Sequence, residues 1–367
     1  MVPYFLLLLI PLAVKFTAQG SFNQGRIRVL YDRKDYRNPV VAVFFIYLLG
    51  MLVLRKRSVG VDLSNYYYLF YKYTGESFSS LVTSEGEILY KLMNWIVGQI
   101  SGSFRWILVL SALLSVIPIF FMYNEDKRNG YLKILIFLNS SVFVVLFSAL
   151  RQSIAVGIGV ICYYFVKNKK PILFFVTIVI AMMFHHSAFI LLLMYPVYHA
   201  RLNSRHLWFL IPLLIVFFLI RRNLFILTTD FLSEWTGKYE SVMSGTGAFA
   251  TFLMYVVFLV FSYIVPDEKK MTNDEIGLRN FLMLATALQS FASLNNLAMR
   301  MNYFYIVFIP CAMCKFIEIP KRKFARVAIL SKCILCIFFT LYFIYTIMAA
   351  NGTRNLLGIV PYESVWR

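Results

Sequence analysis

Charge is scarce in this chain: Asp, Glu, Lys and Arg together make up 14% of its 367 residues, while 60% are hydrophobic. With a mean hydropathy of +0.72, that balance excludes a water-soluble core and leaves no stretch over for a soluble domain. Acid is scarcer still, 17 Asp and Glu against 36 Lys and Arg. In a soluble protein the excess would point to nucleic acid. Here the bases sit in short loops between apolar runs, which argues against a nucleic-acid partner and reports membrane orientation instead. The first run, "VPYFLLLLIPLAVKF", lacks the basic flank and the small-residue cleavage site of a signal peptide, so it reads as a retained first helix. Neither a repeat of fixed period nor a low-complexity linker occurs, and the expectation is one transmembrane helical domain over residues 1–367.

Cysteine is also sparse. Four of the five form two C-x-x-C pairs, Cys311 with Cys314 and Cys333 with Cys336, at a separation zinc ribbons also use. Both pairs are embedded in apolar helix sequence, "FIPCAMCKF" and "KCILCIFF", where Cys serves as a small packing residue, and no metal is expected.

What the sequence has in quantity is apolar runs of bilayer length. They predict helices near 3–18, 39–55, 86–101, 104–123, 131–149, 151–166, 171–184, 187–199, 207–220, 223–235, 248–265, 280–295, 301–317 and 327–350. The fold class is therefore all-α, a polytopic integral membrane helical bundle of about 12 to 14 membrane segments. Several runs are too short for a full span, and irregular backbone survives at membrane depth only when buried in protein or lining a wet cavity, so re-entrant or broken helices around an internal site are expected.

If Lys- and Arg-rich loops are cytoplasmic, six loops are inside: "NQGRIRVLYDRKDYRN", "NEDKRNG", "KNKK", "HARLNSRH", "PDEKKMTNDEIGLR" and "PKRKFAR". Alternation then puts the N-terminus, "RSVGVD", "SALRQ", "FHHS", "NNLAMRMN" and the C-terminal tail outside. The scheme needs one segment between 39 and 123 not to cross, and 86–101 fits best. It also makes 171–199 two short half-spans meeting at the histidines, although one long tilted helix fits the same run.

Polar residues on the outer side carry the candidate chemistry. Arg57, Arg151 and Arg300 gather there against the positive-inside trend. Arg151 either snorkels to the interface or, with the other two, clamps a pyrophosphate through guanidinium forks. Asp62 is placed to cap the helix that follows it. With Glu85 and Glu87 it also supplies carboxylates on this side, and Asp62 and Glu87 are candidates for a general base. The tyrosines Tyr66, Tyr67, Tyr68, Tyr71 and Tyr73 form an interfacial belt or a stacking surface for sugar rings. His185 and His186 lie between apolar residues, where an ionisable group is a functional candidate by default. Adjacent helix residues point about 100 degrees apart, which disfavours a two-His metal site. Arg300, Asn302 and Tyr303 repeat the grouping of base, amide and aromatic near the end of the chain.

The ordered set "RSVGVDLSNYYYLF", "EGEILYKLMNWI", "SALRQSIAVGIGV", "FHHSAFILLLMYPV" and "MRMNYFYIVFIP" resembles the EpsG-like family of bacterial exopolysaccharide polymerases, related in role to the Wzy O-antigen and capsule polymerases. The likeness runs from about residue 40 to about residue 310, in order. It implies a glycosyltransferase-C type membrane enzyme that needs no metal or other cofactor. Such an enzyme joins oligosaccharide repeat units carried on undecaprenyl pyrophosphate, at the outer face of the inner membrane. It implies work alongside a chain-length regulator and a flippase, with membrane lipid as surroundings. On the matching positions, Arg57, Gly60, Asp62 and Tyr66 fall in the family's first motif, Glu87 in its second, Arg151 and Gln152 in its third, His186 in its fourth, and Arg300 and Tyr303 in its last. The family pattern has one obligatory His where this chain has "HHS", so His185 stands beside His186 as a candidate for it. Three other readings compete: a membrane O-acyltransferase of surface polysaccharide using His186, a lipid-linked oligosaccharide flippase, and a glycan ligase. The arginines favour a phosphate-bearing substrate over the first two.

Overall fold

The computed structural model describes residues 1–22, 38–206, 248–292, 296–350 and 358–366, with scattered positions between 208 and 226. Among the described residues every regular element is helical. Contacts divide the chain into two compact units, Met1–Phe189 with Lys332–Arg367, and Ile190–Ser331.

The first unit holds α1 (Val2–Phe22), α2 (Pro39–Leu54), α3 (Leu63–Gly75), α4 (Phe78–Thr83), α5 (Ile88–Ser101), α6 (Arg105–Asn124), α7 (Gly130–Leu138), α8 (Ser141–Ser148), α9 (Leu150–Lys167) and α10 (Pro171–Phe184). Local chemistry sets their ends. Asn38 accepts a hydrogen bond from the Val40 amide while Pro39 occupies the first turn of α2, where its missing N–H costs nothing. Gly102 closes α5 in the left-handed conformation. α6 packs between α2 and α9, α10 folds back along α9, and α5 is held by α3 and α10. The short connection from Lys167 to Pro171 makes α9 and α10 antiparallel neighbours. The start of α9 and the end of α10 therefore lie at the same end of the pair.

The second unit holds α11 (Met194–His199), α12 (Ala248–Ile264), α13 (Asn273–Ala292), α14 (Asn296–Ile306) and α15 (Ile309–Glu318), with α13 packed against the other four. Buried polar groups on α13 clasp the chain around it. Arg279 donates to Glu268 (2.7 Å) and to the Leu202 carbonyl (2.6 Å), and Asn280 donates to the carbonyls of Val197 and Ala200. A last helix, α16 (Ala325–Ala350), runs from the end of this segment into the final part of the chain.

Among the described residues two stretches, Arg105–Asn124 and Arg322–Ala350, are each long and apolar enough to cross a membrane. Two bent pairs pass the same test together: Gly130–Leu138 with Ser141–Ser148, bent by 63°, and Met299–Ile306 with Ile309–Glu318, bent by 41°. Val2–Thr17, Pro39–Leu54, Pro171–Phe184 and Phe249–Ile264 are shorter apolar helices. The chain is a membrane protein with an all-helical fold of short and broken elements.

The boundaries differ from the sequence expectation in instructive ways. The run at 131–149 is broken at Asn139 and Ser140, where the Asn139 amide donates to the Leu135 and Phe339 carbonyls. The run at 301–317 is broken before Pro310, which sits in the first turn of α15. The helix expected at 280–295 starts earlier, at Asn273, because Thr272 and Glu275 form a reciprocal cap: the Thr272 amide donates to Glu275 (2.7 Å) and the Glu275 amide to the Thr272 hydroxyl (3.3 Å). α3 and α4, too polar to register as apolar runs, are additional. α5, the segment the topology kept from crossing, has 14 residues with Lys91 and Asn94 buried, and it is not among the apolar helices. Helix α10 ends at Phe184, His185 is extended, and a 3-10 turn covers His186–Leu193. The loop at 23–37, parts of the run at 207–220 and most of the run at 223–235 fall outside the described residues.

Candidate active site

The tyrosines of the first motif are sorted by helix geometry. Leu63, Tyr66, Phe70 and Tyr73 recur at three- and four-residue steps, share one face of α3, and are all buried. Tyr67 and Tyr71 occupy the neighbouring face, with ring centroids 4.9 Å apart and Phe104 5.6 Å from Tyr67. Tyr68 and Tyr71 are exposed. Only the outward tyrosines suit an interfacial belt; Tyr66 and Tyr73 face the interior.

Two glycines shape the loops on either side of α3 and α4. Gly60 has φ of +117°, and a β-carbon there would come within 2.2 Å of the Phe147 carbonyl oxygen at the end of α8. No L side chain fits both conditions, so this glycine lets "RSVGVD" lie directly on α8. Gly86, at φ +112°, turns the chain so that Glu87 becomes the residue capping α5. The loop before it is pinned by Lys91, one turn into α5 and 1% exposed, whose ammonium donates to the Leu81 carbonyl (2.7 Å) and to the Ser84 carbonyl.

Glu87 does not use its side chain to cap α5. One carboxylate oxygen accepts from the Arg151 Nη1, and the other lies 3.3 Å from Nδ1 of His185. Glu87 is buried, at 7% exposure. Arg151 stands in the first turn of α9, where the helix dipole disfavours a cation. The carboxylate offsets that cost. The Arg151 guanidinium also lies over the rings of Tyr66 (5.6 Å) and Tyr90 (5.9 Å), and its Nε is buried without a partner. The three residues meet because the start of α9, the end of α10 and the start of α5 come together, each at a break between helical segments.

Burial alone would raise the Glu87 carboxyl. The hydrogen bond from His185 and the Arg151 charge outweigh it and hold the group at about 2, well below the usual carboxylate range. A carboxylate that resists protonation is a weak proton acceptor at neutral pH but a firm orienting partner. By accepting from Nδ1–H of His185 it assigns the ring's lone pair to Nε2. The arrangement can therefore supply a guanidinium for an anion and an imidazole beside it.

Of the residues singled out in the sequence, Glu87, Arg151, His185 and Tyr66 are brought together. Gln152 is buried next to Arg151 on α9. Asp62 is at the capping position of α3 but makes no side-chain cap bond, contrary to expectation: its backbone is already helical (φ −88°, ψ −3°), which turns the carboxylate away from the free amides. His186 is exposed at the start of the 3-10 turn, and the buried hydroxyl of Ser187 has no partner. Arg300 and Tyr303 belong to the second unit, the first exposed and the second buried. Lys91 and Tyr90 were not singled out, although an ionisable residue inside "EILYKLMNW" was an available signal.

Arg57 lies in the loop between α2 and α3, its guanidinium 5.0 Å from the Tyr67 ring. It lines a cavity of about 400 Å³ with Arg55, Lys56, Arg105, Tyr67 and Tyr71, among others. Among the described residues no carboxylate side chain lines this cavity. Arg55 is 1% exposed and lies over Phe147, with its Nε and Nη1 unpartnered. Arg105 donates to the carbonyls of Val53 and Arg55.

The chain matches the EpsG family over residues 40–364. It belongs to the EpsG family. The match opens within α2 and reaches the segment 358–366, so it takes in the whole of the Glu87, Arg151 and His185 constellation. Membership of the EpsG family points to a polysaccharide polymerase role in exopolysaccharide biosynthesis. Neither a curated protein nor a solved structure matches the chain.

Proposed function

We propose that the chain is a glycosyltransferase that polymerises oligosaccharide repeat units carried on undecaprenyl pyrophosphate, acting at the outer face of the bacterial inner membrane. The observation that carries this reading is the buried Glu87 joined to Arg151 and His185 beneath Tyr66, inside the span shared with the EpsG family. The alternation set by the six loops assigned to the cytoplasm supports the outward orientation, with Arg57 and Arg151 placed outside against the positive-inside trend.

In this reading a hydroxyl of the incoming unit attacks the anomeric carbon of the growing chain. Nε2 of His185 takes the hydroxyl proton, the new glycosidic C–O bond forms, and the bond to the pyrophosphate oxygen breaks, releasing undecaprenyl pyrophosphate with its electron pair. Arg151, oriented by Glu87, stabilises charge growing on the leaving group through its remaining donors. The cationic cavity beside Tyr67 favours a substrate carrying phosphate over an acyl donor, and its tyrosines offer flat faces to sugar rings. Asp62 and His186, both more exposed, serve substrate positioning in this scheme.

The test is incubation of the purified protein, in nanodiscs, with undecaprenyl-pyrophosphate-linked repeat units from its own host, read as laddered glycan on a gel. A ladder that disappears in Glu87→Gln and Arg151→Ala supports the proposal. A folded wild-type protein that makes no ladder from intact substrate rejects it and makes acyl transfer the next assay.

A further inference from the structure

Helix α3 stands between two arginine sites. Tyr66, on its buried face, lies against Arg151, while Tyr67, the next residue and about 100 degrees round the helix, lies against Arg57. Arg57 belongs to the cavity of about 400 Å³ that Arg55, Lys56, Ser58, Arg105 and Tyr71 also line. The three arginines of this cavity have neutral or aromatic partners. Arg105 donates to the Val53 and Arg55 carbonyls (2.6 and 2.9 Å), and Arg57 lies over the Tyr67 ring. Arg55, 1% exposed, leaves Nε and Nη1 unpartnered. The nearby Glu363 carboxylate accepts from the Ser58 hydroxyl (2.9 Å). Guanidinium groups held in this way are a seat for an external anion.

The cavity also sits at the head of an apolar helix. α6 begins at Arg105 and is long enough to cross a membrane. Below Arg105 it turns Trp106, Leu113, Ile117 and Phe121 outward at four- and seven-residue steps, 37% to 60% exposed. Cavity and stripe together suit an anion that carries a long apolar tail.

The reaction proposed above consumes two such amphiphiles and treats them differently. The growing chain gives up its undecaprenyl pyrophosphate when the bond to its anomeric carbon breaks. The incoming unit attacks through a hydroxyl and keeps its own pyrophosphate. Arg151 serves the group that leaves, so the retained pyrophosphate needs a second cationic seat. We infer that the Arg57 cavity holds the pyrophosphate of the incoming unit, with its polyprenyl tail along α6 and α3 standing between acceptor and donor phosphates. This assignment rests on the polymerase reading.

The test uses the purified full-length protein in nanodiscs, with the undecaprenyl-pyrophosphate-linked donor and a labelled acceptor. Two acceptors present the same repeat unit. One is carried on polyprenyl pyrophosphate through a methylene in place of the anomeric oxygen, so it keeps its charge and cannot leave; the other is a neutral polyprenyl glycoside. The wild type is expected to favour the charged acceptor by about tenfold or more in kcat/KM, the weight of one charge-assisted contact. Arg57→Gln should erase most of that preference by raising KM for the charged acceptor while KM for the donor stays the same, and Arg57→Lys should keep part of it. Arg57 is exposed, so its replacement spares the fold, and the wild-type comparison needs no variant. Equal use of the two acceptors by the wild type overturns the inference. So does an Arg57→Gln variant that keeps the preference or raises KM for the donor instead. Transfer to neither acceptor from intact donor overturns the polymerase reading, and this assignment with it.

Discussion

Nδ1 of His185 and Oε1 of Glu87 stand 3.3 Å apart, although 98 residues separate them in the chain. The other carboxylate oxygen is taken by Arg151, so Glu87 is committed on both sides. In the proposed reaction this divides the labour: the carboxylate orients, and the imidazole exchanges protons.

That division separates the two adjacent histidines. His185→Ala should lower glycan formation by about 100-fold or more, the range expected for loss of a positioned general base. His186→Ala, at an exposed site, should change it only several-fold. Laddering rates of the two variants at saturating substrate make the comparison, and equal losses would refute the assignment of the base to His185.

Acid should weaken the fold through Glu87. Its folded-state carboxyl lies at about 2, below an unfolded value near 4.3. Its contribution is therefore fully present above about pH 4.3 and is lost as the pH falls towards 2, a term on the order of 2 to 3 kcal/mol. Thermal unfolding of wild type and Glu87→Gln between pH 6 and pH 2 tests this. The wild-type Tm should drop more steeply, and parallel curves would contradict it.

Arg151→Ala leaves Glu87 buried without its cation, which should cost about 3 to 5 kcal/mol of stability. Combining it with Glu87→Gln should restore part of that loss, because the stranded charge is gone. Arg151→Lys should keep most of the stability yet lose activity, since an ammonium lacks the planar fork. Chemical denaturation with a double-mutant cycle measures the coupling. Strict additivity would show that the contact contributes nothing.

The two glycine turns should respond differently to alanine. Gly60→Ala meets both a forbidden backbone angle and the Phe147 carbonyl at 2.2 Å, so a loss on the order of 3 kcal/mol or more is expected. Gly86→Ala meets nothing nearer than 3.8 Å and should cost only the backbone term, about 1 to 2 kcal/mol. Melting temperatures of the two variants should rank in that order.

Hydropathy made the apolar helices legible, and the arginine of "SALRQ" and the glutamate of "EGE" stood out as ionisable groups beside them. Their partnership did not, because Arg151 and Glu87 are 64 residues apart and no local spacing records a contact made by α5 against α9 and α10. The choice between His185 and His186 was hidden for a related reason: it depends on where α10 stops, one residue before the ring that turns inward. α3 escaped the apolar scan because its polar tyrosine hydroxyls and Lys72 mask a buried face. The cap at Thr272 and Glu275 was legible in "TNDE" and would have placed the start of α13 correctly.

The "RSVGVD" loop is fastened by a distant part of the chain. The Gly60 amide donates to the Gly358 carbonyl (2.8 Å), the Lys56 amide to the Glu363 carbonyl (2.9 Å), and the Ser58 hydroxyl to the Glu363 carboxylate, 305 residues further on. A ribosome delivers those anchors about 300 residues after the loop itself. Until then the loop waits untethered, and a message broken before residue 358 would yield a chain that makes its helices while its first motif stays unfastened. The motif made early is completed only by a segment made much later, which makes residues 358–363 a sensitive place for a nonsense mutation.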